Sequence, residues 1–212
     1  MYKIIKTIAQ WTGNGDIHCA PMQPAGLHMT RFDAAGFIEA ETNLPITKPF
    51  VINFEMMTKW RRQTKIVDAD KSIGIIEGQT IIGSVNSADT IYRETMQQRV
   101  ARYQNGMHIL ITEKSEQKQI GNAMQDASAL RFEKKRGRLA INGKATQVAC
   151  YGQAQHHSIF CGEQISKWLN LFAANKKFTA WSIHLFAGLI VLRQDRDMPI
   201  KYVVGIYAQG EK

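Results

Sequence analysis

The stretch from His28 to Glu41, HMTRFDAAGFIEAE, decides how the rest of the chain is read. Thr30 or Asp33 can cap a helix, since a short oxygen-bearing side chain accepts a hydrogen bond from the open N–H groups of a first turn. Phe32, Ala35/Gly36 and Glu39 then step round one turn each, so the stretch predicts a helix. Before it, residues 2–11 read as an opening strand with Ile4, Ile5 and Ile8 apolar. A loop, TGNGDIHCAPMQPAG, joins the two, punctuated by Gly13, Gly15, Pro21, Pro24 and Gly26.

Downstream, PFVINFEMM (49–57) alternates like a half-buried strand, and the polar stretch 58–72 reads as an exposed loop or hairpin. IGIIEGQTIIGSV (73–85) predicts two short strands around Glu77-Gly78-Gln79. A polar helix is expected over 88–104, with Arg99 and Arg102 three apart on one face. HILIT (108–112) and 146–151 are strands. Ile165, Trp168, Leu169 and Phe172 mark an amphipathic helix over 162–173. IHLFAGLIVL and IKYVVGIYA close the chain as two strands separated by RQDRDMP. The order strand, helix, strands, helix, strands predicts an α+β fold of one domain, residues 1–212. It fits a ferredoxin-like βαββαβ (RRM-like) antiparallel sheet with helices on one face and a β-rich insertion at about 55–105.

At 212 residues and 44% hydrophobic content the chain can bury a substantial core. Its mean hydropathy of −0.26 is that of an ordinary soluble protein. No apolar run reaches the length of about 18 residues that a membrane span needs, so no membrane partner is expected. MYKIIKTIAQW lacks the features of a signal peptide. Three cysteines without regular spacing, Cys19, Cys150 and Cys161, argue against a disulfide framework and for a cytoplasmic location.

Lys and Arg number 27 against 18 Asp and Glu, giving a net charge of +9. The charge is densest at Arg131, Lys134, Lys135, Arg136 and Arg138, immediately before a strand. Such density repels itself unless an anion lies across it, and phosphate is the natural counter-charge. These cations can contact a nucleic-acid backbone, and Gly137 lets the chain approach closely. Arg93, Arg99 and Arg102 could supply a second basic wall. Tyr103, and Trp60 beside Arg61 and Arg62, are aromatic neighbours on which splayed bases could stack.

Three segments in order, RFDAAGFIEAE, QQRVARY and RGRLAINGKATQVACYG, resemble the small RAMP-type backbone subunits of Class 1 CRISPR effector complexes, most of all the subunit of type IV systems that caps the 5′ handle. The resemblance runs in patches over about two-thirds of the chain. In place of the family's glycine-rich C-terminal loop, FTAWSIHLFAGLIVLRQ holds a single glycine, Gly188. The resemblance implies a non-catalytic subunit, without a cofactor, that binds CRISPR RNA, neighbouring backbone and large subunits and, through them, target DNA. A general single-stranded nucleic-acid-binding module is the plainer alternative.

An enzyme reading stands beside these. His108, Asp126, Gln155 and Cys161-Gly162 follow the order found in adenain-like and ubiquitin-like-protein-processing cysteine peptidases. Cys161 would be the nucleophile of a papain-like hydrolase, His108 its base, Asp126 the group fixing the tautomer and Gln155 the oxyanion donor. Ile109 stands where that family has an aromatic residue. Cys150, His156, His157 and Cys161 lack zinc-site spacing, so no metal is expected.

Overall fold

The computed structural model describes residues 5–8, 16–22, 26–32, 36–42, 46–68, 72–86, 106–125, 127–152, 158–173, 180–194 and 200–209. The chain divides into two compact units, Met1–Glu94 and Thr95–Lys212.

In the first unit β1 (Ile17–Met22), β2 (Gly26–Phe32) and β3 (Gly36–Thr42) form an antiparallel meander, and β4 (Phe50–Ile52) pairs with the free edge of β1. The helix expected over His28–Glu41 is therefore a hairpin, with Phe32 opposite Phe37 and Leu27 opposite Thr42. Ile38, Glu39 and Ala40 are all buried, and pairing with β2 along the whole strand overrides the weak helix preference of Ala and Glu. Residues 5–8, expected in a strand, are helical, and Ile5 and Ile8 bury a spacing of three that suits one turn. The 49–57 run also splits. After β4, Asn53 accepts the Met56 N–H at 2.8 Å and opens α1 (Phe54–Lys59).

β5 (Thr64–Asp68), β6 (Ser72–Glu77) and β7 (Thr80–Asn86) form a separate three-stranded antiparallel sheet. The hairpin expected around Gly78 is present, with that glycine at φ 62°. Asp68 accepts hydrogen bonds from the hydroxyl and the N–H of Thr47 and pairs with Lys48 at 3.4 Å. The Thr47 hydrogen bonds, more than the lysine, hold its carboxyl below the usual range.

The second unit runs β8 (Met107–Ile111), α2 (Lys114–Met124), β9 (Ala129–Leu130), β10 (Phe132–Lys135), β11 (Arg138–Ile141), β12 (Lys144–Ala149), β13 (Tyr151–Gly152), β14 (Phe160–Cys161), α3 (Gly162–Ala173), β15 (Trp181–Phe186), β16 (Leu189–Gln194) and β17 (Ile200–Tyr207). Apart from the two-residue strands β9 and β13, strand, helix and three antiparallel strands thus occur twice in order, as β8–α2–β10–β11–β12 and as β14–α3–β15–β16–β17. β13, β8, β15, β16 and β17 lie side by side in that order, and β9 pairs with β14. The run IHLFAGLIVL, expected as one strand, is two, broken at Ala187–Gly188.

The helix predicted over 162–173 is α3, with Ile165, Trp168 and Leu169 buried. α2 was not expected. Its buried residues are Gln117, Ile120, Ala123 and Met124, and it starts with a capping box between Glu113 and Glu116. The two helices pack together, and Gln117 Nε2 donates to the Leu169 carbonyl at 3.3 Å. A mostly β chain with this order is not ferredoxin-like. The helix that would have followed the first strand is a strand pair, and six strands separate the two helices of the second unit. Among the described residues no helix is long and apolar enough to cross a membrane.

Candidate nucleic-acid interface

The cations of 131–138 lie on the β10–β11 hairpin. Lys135 pairs with Arg138 across it, and Arg136 and Gly137 form a two-residue turn with φ of 52° and 77°. Both angles are left-handed, as the tight turn that matches strand twist requires, and Gly137 meets that need without strain. The next turn repeats the device with Asn142 and Gly143 at φ 49° and 78°. Asn142 Oδ1 accepts the Arg131 N–H at 2.7 Å, and its Nδ2 donates to the Ala129 carbonyl at 2.9 Å. The hairpin is thereby fixed to the strand before it.

The five cations are not equivalent. Lys134 Nζ donates to the Gly152 carbonyl at 2.8 Å, and the Cys150 N–H reaches the Gly137 carbonyl at 3.0 Å, so the hairpin tip is tied to the strand end at 150–152. Burial pushes the Cys150 thiol up, with Lys134 opposing. Lys135 pairs with Glu133 at 2.9 Å. Arg131, Arg136 and Arg138 are exposed, and the last two have no side-chain partner among the described residues. The guanidinium groups of Arg136 and Arg138 therefore stand in solvent at the hairpin turn, with no carboxylate paired to them among the described residues.

The packed pair α2 and α3 is a second polar surface of this unit, one the sequence reading missed. Lys114, Ser115, Lys118 and Asn122 are exposed on α2. Glu116 is occupied at the helix start, where its carboxylate accepts the N–H groups of Thr112 at 2.9 Å and Glu113 at 3.1 Å. On α3, Lys167 pairs with Glu163 at 2.9 Å. What remains on the two helices is a modest positive surface.

The other expected contacts separate. Trp60 is wholly buried, so it offers no face to a base; it is a core residue of the first unit. Arg61 donates to the Thr58 carbonyl at 2.9 Å, capping the end of α1, and Arg62 is exposed. Arg93, Arg99, Arg102 and Tyr103 lie outside the described residues, as do Asp126, Gln155, His156 and His157. His108 stacks on His184 at 4.3 Å, and Cys161 belongs to the β9–β14 pair. Among the described residues no three His, Cys, Asp or Glu side chains cluster as a metal site.

No protein-family model matches the chain, and no curated protein matches it. Solved structures do match, and they define the fold as that of the sliding clamps. The chain is similar to A. fulgidus PCNA, in a structure with the C-terminal region of FEN-1 bound, at a TM-score of 0.60 and 12% identity over 100% of this chain and 95% of that one. Against PCNA from Entamoeba histolytica the TM-score is 0.57 at 10% identity, covering 98% and 94%. The Helicobacter pylori beta clamp bound to a DNA ligase peptide gives 0.64 at 10% identity, covering 100% of this chain but 64% of the clamp.

These likenesses overturn the RAMP resemblance. The segment RFDAAGFIEAE, which carried much of it, is a hairpin of a clamp fold and not the first helix of a RAMP core. CRISPR RNA and effector subunits fall as partners with it. The solved structures lend no support to the cysteine peptidase, and its proposed base and nucleophile belong to different sheets.

Proposed function

We propose that this protein is a DNA clamp, a non-catalytic cytosolic subunit that encircles DNA and holds replication or repair proteins on it. The observation that carries the reading is the doubled strand–helix–three-strand order of the second unit, its two helices packed together, in a chain similar to PCNA along nearly its whole length. The helices present Lys114 and Lys118 with small polar residues, a surface suited to sliding along phosphates without reading bases. The free thiols Cys19, Cys150 and Cys161 agree with a reducing compartment.

The test is topological. After long incubation with nicked circular DNA, the protein should co-elute with the circle in high salt and be released when the DNA is cut once. Release that is the same before and after cutting, or no retention, overturns the clamp reading.

A further inference from the structure

We propose that the groove beside the β10–β11 hairpin seats the phosphodiester backbone of DNA, as a contact separate from the α2–α3 surface. The groove measures about 740 Å³ and has Lys135, Arg136 and Arg138 on one side, with Leu139, Thr146 and Gln147 among its other lining residues. It is a built feature. β12 carries a bulge opposite Leu139, where the register with β11 passes from Arg138–Ala149 to Ala140–Ala145. Bulges re-aim side chains and end pairing at sites.

The backbone groups that the bulge frees are satisfied without filling the groove. Thr146 Oγ1 donates to the Leu139 carbonyl at 2.8 Å and accepts the Val148 N–H at 3.2 Å. The Gln147 N–H donates to Gln119 Oε1 on α2 at 2.8 Å. β12 is thereby tied to α2 beside the groove.

Its chemistry selects the ligand. Arg136 and Arg138 have no side-chain partner among the described residues, and guanidinium forks match phosphate oxygens in pairs. Among the described residues no aromatic side chain lines the groove, so they offer nothing for a base to stack on. A small neutral floor under three cations fits a sugar–phosphate strand, bound without regard to sequence. The proposal rests on the nucleic-acid part of the clamp reading but not on ring closure. One strand of a duplex and a free single strand present the same chemistry, and the experiment separates them.

The test uses the full chain with short linear DNA, about 12 base pairs or 12 nucleotides, titrated at several salt concentrations. Arg136→Ala with Arg138→Ala should weaken binding about tenfold at moderate salt and reduce the salt slope by about two. Arg136→Lys with Arg138→Lys should restore most of the slope, and Lys65→Ala, an exposed lysine on β5, should change neither quantity. A loss on duplex alone or on single strand alone names the occupant; either supports the groove. The proposal is overturned by unchanged affinity and slope on both DNAs, by an equal loss in Lys65→Ala, or by a wild type that binds neither DNA at low salt. In that last case retention on circular DNA still decides the clamp reading by itself.

Discussion

His108 and His184 stack across the β8–β15 pair, with ring centroids 4.3 Å apart and planes 20° from parallel. Phe186 stacks beyond His184 at 6.4 Å, and the Ser182 hydroxyl lies 3.3 Å from its Nε2. Burial above all, then the neighbouring His108 and Arg193, lowers the His184 pKa from 6.5 to about 4. The folded chain therefore keeps this ring neutral where the unfolded chain would protonate it.

The sign of the pH dependence follows. Between 6.5 and about 4 the unfolded state binds the extra proton, so stability is full above this window and falls as pH drops through it. Urea midpoints measured across that range should decline toward acid. His184→Gln should flatten the decline, and an identical acid limb in the variant would assign it to other groups.

Trp60 makes a second prediction. Its side chain is wholly buried, and its indole N–H has no hydrogen-bond partner among the described residues. Trp60→Ala should cost about 3–5 kcal/mol through the cavity it leaves. Trp60→Phe keeps most of the apolar surface and removes an unsatisfied donor, so it should cost less than about 1.5 kcal/mol. Urea unfolding of both variants checks this; equal losses would mean that the N–H is bonded.

The sequence made α3 legible because Ile165, Trp168 and Leu169 repeat with a helix period on one buried face. α2 escaped because one of its inward positions is Gln117, whose amide donates to the Leu169 carbonyl 52 residues away. The hairpin over 26–42 escaped because its period-two signal is short and Ala-rich. RGRLAINGK does carry two turn signals, Arg136-Gly137 and Asn142-Gly143, on either side of the short apolar run Leu139-Ala140-Ile141, and these could have placed β10, β11 and β12. The charge of the site was plain in the string. Which cations stay free was not, since Lys134 finds the Gly152 carbonyl and Lys135 finds Glu133 only once strands pair.

Asn142 carries the hairpin's attachment. It holds a left-handed φ of 49°, and its side chain bonds Arg131 and Ala129. Asn142→Ala loses both hydrogen bonds and puts a poorer residue in that conformation, so about 2–3 kcal/mol of stability should go. Asn142→Gly relieves the backbone but not the hydrogen bonds, and should lose about 1 kcal/mol less. Thermal melts of the two variants would show the order, and a reversed order would put the strain elsewhere.

Cys161 and Gly162 supply the last prediction, because they separate packing from nucleophilic chemistry. Gly162 opens α3 with its N–H on the Ser128 carbonyl at 2.9 Å, and a Cβ there would overlap the Ala127 carbonyl oxygen. Gly162→Ala should therefore destabilise by more than about 2 kcal/mol, since backbone must move to admit it. Cys161→Ala should be nearly neutral, within about 1 kcal/mol, because the residue is half-buried at the end of a two-residue strand. Burial pushes the Cys19 thiol far up and the Cys150 thiol up as well, so both should resist iodoacetamide until urea unfolds the chain. Mass spectrometry of labelled folded protein reads all three sites at once. Rapid labelling of Cys161 that His108→Ala slows would mean that the two residues act as a pair.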